Sequence, residues 1–457
     1  SSINQVLIKK NKLYQYIFLL IITFMVIFNG GNNNLYIQFN FIIISIFFLL
    51  LIREKNYLAH MRKIFSTNKL AIKLYVLFIS FLIFQTIPLP IEWLSFLSPE
   101  KYNFLNKLEF NGNFNPISLS PINSYFSLLN YLSIFLYLII FKSLFYKKKY
   151  IFKFYYFLVF LGAFAASVAI YFYLIGNPDF LILKNSHAKT NATGFFTNRT
   201  VFSCFLTLCF FSGIEYLKMI DHYQKNNTDT FFNKIYVRIF LLLTTIAIIT
   251  TFSRLGNFLF ISLIIMYISQ VLYTNDKKNR FFLITLILIV LFDVLILGFY
   301  FGSEKLLQRY SFLQSELNEY LPSSAQSILS RADITKFAFI EFKKFIFFGY
   351  GGGGFEYLLK INFQNLSTQF ASHVHSSIIE FIGEFGLIGS TFISLSLLFA
   401  CANKDFLSFK NFLLCYLLIF ILIFDFSFHI PIIQFLFILL LSVSYKRSDN
   451  FEYRFDD

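Results

Sequence analysis

About twelve windows of some 20 mainly apolar residues recur along the chain, each long enough to cross a bilayer core as a helix. Inside lipid every backbone polar group has to be satisfied within its own segment, so such windows read as helices. The spacing predicts spans over residues 14–28, 35–52, 70–89, 125–144, 151–175, 199–216, 239–252, 255–273, 281–301, 376–400, 412–424 and 430–443. The expected fold is an all-α polytopic membrane protein of about 12 transmembrane helices. Three regions follow: 1–302 with the first nine spans and short loops, 303–375 as a large external loop between spans nine and ten, and 376–457 with the last three spans and a tail.

Composition agrees, with 57% hydrophobic residues and 14% charged, against about a quarter charged in a soluble domain. The formal net charge of +15 is not gathered into a stripe that would read nucleic acid, and no nucleic-acid partner is expected. Its lysines and arginines instead cluster between apolar runs, as in Arg53–Lys69, Lys147 to Lys149, Lys277 to Arg280 and the tail with Lys446 and Arg447. Under the positive-inside rule these clusters face the cytoplasm, which puts both termini there. The first apolar run has no small-residue cleavage site after Phe28 and reads as a retained helix. Residues Cys204, Cys209, Cys401 and Cys415 lie in or at the ends of apolar runs, so neither a disulfide framework nor a cysteine metal site is expected. No fixed-period or inverted repeat is evident.

Basic residues at the outer ends of spans break this rule. Arg199, Arg254 and Arg331 stand there, and the planar guanidinium grips phosphate through two bonds. Snorkelling to lipid headgroups is the bland explanation for any one of them. The large loop carries two further signals. Residues 330–348 have a pattern compatible with an amphipathic helix on the membrane, with Phe337, Ile340 and Phe348 opposite Lys343 and Lys344. A glycine tract follows over 349–355, in which Gly351 and Gly353 permit close backbone approach or a sharp reversal. A nucleotide-binding reading of that tract fails, because no strand precedes it.

His373 and His375 stand where the loop gives way to the tenth span, a place from which a side chain titrating near neutrality can exchange protons with a substrate at the surface. Glu380 and Glu384 follow at i, i+4 spacing on one helix face and read as supporting residues that hold a histidine tautomer or face a polar cavity. Glycosidase chemistry by these paired acids is disfavoured by their depth.

In order and sidedness these segments resemble the O-antigen ligase and polymerase superfamily of bacterial membrane glycosyltransferases. The resemblance rests on G-F-F-T-N-R at 194–199, T-F-S-R-L-G at 251–256, S-R then G-Y-G-G-G-G-F between 330 and 355, and H-V-H-S-S followed by E-F-G-L-I-G between 372 and 389. P-I-S-L-S-P-I-N-S at 116–124 is similar to the family's first external loop. The chain departs from the family at Thr200, where N-R-N is usual, and at Ser376 and Ile378, where H-N-x-Y-L is usual. Loss of the aromatic at Ile378 removes the stacking surface for an acceptor there.

The resemblance implies transfer of a glycan from an undecaprenyl-diphosphate carrier to an acceptor hydroxyl at the periplasmic face of the inner membrane. In that reading Arg199 and Arg254 clamp the diphosphate, Arg331 extends the clamp, and Asn198, Ser253, Gly351 and Gly353 support the site. His375, which fits the motif better than His373, takes the acceptor proton with inversion at the anomeric carbon. No metal and no cofactor is expected, since the arginines supply the charge. Ligation to lipid A-core is the first expectation. A polymerase using a lipid-linked glycan acceptor and a protein O-oligosaccharyltransferase are the alternatives in the family. A transporter, for which Asp293 would be the deep acid, belongs to another class.

Overall fold

The computed structural model describes residues 2–179, 191–223, 228–274, 284–289, 291, 331–362, 371–401 and 408–443. The expected ninth span with Asp293 lies largely outside the described residues, as do 303–330 and 363–370 of the large loop and the tail from 444.

Helices dominate, and the apolar runs set their places. In chain order they are α1 (Ser2–Ile27), α2 (Asn34–Ile52), α3 (Lys55–Thr67), α4 (Lys69–Thr86), α5 (Ile91–Leu97), α6 (Pro99–Lys107), α7 (Pro121–Leu144) and α8 (Lys148–Leu174). After these come α9 (Arg199–Tyr223), α10 (Thr228–Thr250), α11 (Arg254–Thr274), α12 (Arg331–Phe342), α13 (Phe355–Asn362), α14 (Ser377–Cys401), α15 (Phe409–Phe424) and α16 (Pro431–Ser442). Among the described residues nine helices are long and apolar enough to cross a membrane, and α15 and α16 are shorter apolar helices.

Helix α9 is the hub. Its apolar window is 94% buried within the protein, against 22% for α2, so α9 is wrapped by helices where α2 faces outward. It packs against α8, α10, α11 and α16. Small residues permit the approach: a Cβ on Gly162 of α8 would lie 2.4 Å from the Cys209 Cβ of α9, and one on Gly213 would lie 2.7 Å from Val159. A second layer is built by α4 and α14, which pack extensively, with α7 bridging α2, α4 and α16.

Two expectations need correction, for residues 53–69 and 330–348, and the connection between the third and fourth spans holds structure of its own. Residues 53–69 are not a loop: α3 forms because Tyr57 and Met61, one turn apart, are buried while Arg62 and Lys63 remain exposed. Residues 90–122 hold α5, α6 and a short antiparallel pair, Leu89 opposite Asn115 and Pro90 opposite Phe114. Within 330–348, the buried side is Ile334, Ala338, Glu341 and Phe345, with Phe339 and Ile340 exposed. This helix docks on α14, so its packing face is set by that neighbour rather than by the apolar stripe of its own sequence.

The glycine tract is laced into this second layer. Tyr350 N donates to Gly383 O and Gly351 N to Glu384 O, both at 2.9 Å, while Leu387 N donates to Ile346 O at 2.8 Å. These bonds replace the helical ladder of α14 where it breaks at Gly386, whose φ of 60° and ψ of −173° no helix contains. The 116–124 segment closes the other side: Ser124 Oγ donates to Gly352 O, Asn123 Nδ2 to Gly353 O, and Leu119 N to Tyr350 O. Lys101 is buried there, its ammonium donating to the carbonyls of Pro116 and Ser118, and burial pushes its pKa down to about 8.

Candidate active site

One end of the bundle gathers the connections that carry the polar motifs. Asn29 Oδ1 accepts from Thr197 N at 3.0 Å, tying the first connection to the segment before α9. Ala192 N donates to Thr250 O at 3.0 Å, tying that segment to the end of α10. The 3-10 turn Ser427–His429 packs on α9, where Asp425 and Ser427 lie against Cys204. Ser377 N in turn donates to Asp425 O at 3.0 Å, which brings in the start of α14.

Arg199 and Arg254 are the first residues of α9 and α11, neighbouring helices that both begin at this end. Asn198 caps α9, its side-chain oxygen accepting from Thr200 N at 2.7 Å and Val201 N at 3.2 Å. Ser253 Oγ donates to Thr200 Oγ1 at 3.1 Å and accepts from Gly256 N at 3.2 Å, stitching the two helix starts together. A Cβ on Gly256 would lie 1.9 Å from Ser203 Oγ, so the contact between these helices depends on that glycine. Arg199 and Arg254 therefore each stand at a helix N-terminus, where the helix dipole also favours an anion. Arg331 begins α12, which packs on α14.

The histidine pair sits on the other side of the same end. His373 lies flat on Phe426, ring centroids 5.0 Å apart and planes 6° apart, while His375 meets Phe426 edge-on at 5.9 Å. His373 Nδ1 is 2.8 Å from Glu380 Oε1, and Glu380 Oε2 accepts from Val374 N at 2.8 Å. Burial of the His373 ring alone would lower its pKa, but the carboxylates of Glu380, Glu384 and Asp425 outweigh it and hold the imidazolium above its ordinary range. Glu384 Oε1 accepts from Gly353 N at 2.6 Å, which joins the glycine tract to the site.

Ten of the expected residues thus fall into two groups at one end: Asn198, Arg199, Ser253 and Arg254 at the starts of α9 and α11, and His373, His375, Glu380, Glu384, Gly351 and Gly353 around the start of α14; Arg331, at the start of α12, belongs to neither. Sequence reasoning missed His429. It stands beside Glu380 and Glu384, 3.8 and 3.6 Å from their carboxylate oxygens, and packs on Phe381 at 4.5 Å. A histidine followed closely by the proline that opens α16 was the one available signal. Glu380, Glu384 and His429 place three ligand-type atoms within 4.8 Å of one another, where no metal-ligating group was expected.

Beside the histidines, an apolar cavity of about 530 Å³ runs along α14, lined among others by Ile378, Phe381, Leu387, Phe428, Tyr75 and Tyr131.

Together these features define a multi-pass α-helical membrane protein with arginines at two helix starts and a histidine pair at one end of its helices. Residues 239–394, from α10 into α14, match the family model described as O-antigen ligase, so this part of the chain is similar to that family. The matched segment holds Arg254, Arg331, the glycine tract, both histidines of the pair and both glutamates, while Arg199 and His429 lie outside it. No curated protein matches the chain.

Proposed function

We propose that this protein transfers a glycan from an undecaprenyl-diphosphate carrier to an acceptor hydroxyl at the periplasmic face of the inner membrane, with lipid A-core as the acceptor. The observation that carries the reading is the presence, at one end of the bundle, of two arginine-headed helix starts and of a histidine pair in which His373 is bonded to Glu380. In this topology both termini are cytoplasmic, as the lysine clusters require.

The donor diphosphate binds between Arg199 and Arg254, whose charges and helix ends match its own. Arg331 adds its charge to the clamp. The acceptor oxygen attacks the anomeric carbon from the face opposite the diphosphate. A new carbon–oxygen bond forms, the bond from that carbon to the phosphate oxygen breaks, and its electron pair leaves on the diphosphate. Inversion follows from the in-line geometry. His375 takes the hydroxyl proton as the bond forms, and the arginines stabilise the departing charge without a metal at the diphosphate. His373 is tied through Nδ1 to Glu380 and holds the floor on which His375 is placed. The apolar cavity along α14 accommodates part of the substrate's hydrocarbon.

A polymerase, with a second lipid-linked glycan as acceptor, is the alternative within the family. Protein in nanodiscs, supplied with lipid-linked oligosaccharide with and without lipid A-core, separates the two. Product that requires lipid A-core is the expected result. Chain growth without it would assign polymerase activity instead, and no transfer in either mixture would overturn the reading.

A further inference from the structure

We propose that Glu380, Glu384 and His429 bind one divalent first-row metal ion, of the kind held by mixed imidazole and carboxylate ligands such as Zn²⁺ or Mn²⁺. The inference goes beyond the transfer reading and does not require it.

The argument starts from the proton on His429. Its Nδ1 faces Ser377 Oγ at 3.4 Å, and that hydroxyl already donates its hydrogen to Asp425 O at 2.7 Å. The serine oxygen can therefore only accept, so Nδ1 carries the hydrogen and the lone pair of a neutral ring lies on Nε2. Nε2 makes no hydrogen bond, on a side chain 8% exposed, and it points between Glu384 Oε2 at 3.6 Å and Glu380 Oε1 at 3.8 Å. Those side chains are 4% and 1% exposed. A lone pair aimed at two buried carboxylates is repulsive unless a cation lies between them.

The distances leave room for an ion. A charge-assisted N–H to carboxylate bond closes to about 2.7–2.9 Å, whereas ligands each about 2.0–2.1 Å from a tetrahedral ion stand roughly 3.3–3.4 Å apart. The two observed separations, 3.6 and 3.8 Å, lie beyond the hydrogen-bond range and exceed the second value, and the three ligand atoms lie within 4.8 Å of one another, so that binding would draw them together. The outer partners also fit a metal centre. Ligating histidines commonly donate their other N–H to an oxygen, as His429 does to Ser377, and ligating carboxylates are held by further hydrogen bonds. Here Glu380 Oε2 is fixed by Val374 N, Glu384 Oε1 by Gly353 N, and Glu380 Oε1 by His373.

The ion would neutralise the two acids and pin the turn before α16 to the first two turns of α14. With three protein ligands it would keep an open coordination position. It sits among the protein's own carboxylates rather than at the helix starts where the arginines stand.

The test uses the full chain in detergent, freed of any affinity tag and dialysed against a chelator, with Co²⁺ as the probe. Wild type should bind one Co²⁺ per chain with a visible d–d absorption band, and its melting temperature should rise with Co²⁺ concentration. His429→Gln should lose the band, and the milder Ser377→Ala should weaken binding about tenfold or more. A cooperatively melting wild type with no band and no Co²⁺-dependent shift would overturn the proposal and assign the gap to a protonated His429. Undiminished binding by His429→Gln would overturn it equally. Neither readout involves glycosyl transfer, so failure of the metal site and failure of the transfer reading are separate results.

Discussion

Gly349 and Gly386 stand back to back: a Cβ on Gly349 would lie 2.2 Å from Glu384 O, and one on Gly386 would lie 2.2 Å from Phe347 O. Both have left-handed φ, +70° and +60°, and between them the glycine tract feeds its N–H groups to the carbonyls that the break in α14 exposes. The break, in turn, lets Glu384 meet Gly353 N while Glu380 meets His373.

Gly386→Ala should therefore be severe. Its φ and ψ belong to a region that only glycine occupies readily, and backbone atoms fill the space a methyl would need. A loss of about 3 kcal/mol or more is expected, measured as a fall in melting temperature in detergent. Gly176→Ala is the control, since its φ is +86° but nothing lies within 4 Å of the added Cβ; about 1 kcal/mol is expected there. Equal losses at the two positions would mean that the close approach contributes nothing.

Asn198 separates stability from anion binding. Asn198→Ala removes the cap of α9 and should cost about 1 kcal/mol. Asn198→Asp keeps an acceptor for Thr200 N and Val201 N, so its melting temperature should stay near wild type. It adds a negative charge beside Arg199, and glycosyl transfer should fall with a raised KM for the lipid-linked donor. Unchanged donor KM in the aspartate variant would argue against a diphosphate at this helix start.

Lys101 makes stability depend on alkaline pH. Its folded-state pKa of about 8 lies below the ordinary 10.5, so between these values the unfolded chain holds the extra proton. Stability should then rise with pH from about 8 to about 10.5, by up to ~3 kcal/mol, and this contribution should be flat on either side. Lys101→Gln should lack that rise when melting temperatures are compared across the same window. Parallel curves for the two proteins would show that the buried amine does not titrate as its surroundings require.

Much of the frame was legible because a bilayer admits few solutions. Apolar length alone located α2, α8 and α11 to within a few residues, and Arg199 and Arg254 stand at helix starts on the end that also carries the histidine pair. What stayed hidden depends on partners distant in the chain. Gly386 sits inside a stretch that reads as one continuous span over 376–400, and only the docking of 346–351 reveals a break there. Tyr57 and Met61 signal α3 at helical spacing, but the surrounding basic residues drew the eye to charge. His429 reads as an ordinary loop residue until the turn at 427–429 folds against the start of α14 and turns its ring toward Glu380 and Glu384.

The most direct test of the account is the rate of single-turnover transfer in nanodiscs by wild type and His375→Gln, both shown to insert and melt alike, with saturating lipid-linked donor. Removal of the proton acceptor should slow transfer at least about a hundredfold without changing donor affinity. Transfer by His375→Gln at the wild-type rate would contradict the assignment of the base, and with it the central claim that the histidine pair is where the chemistry occurs.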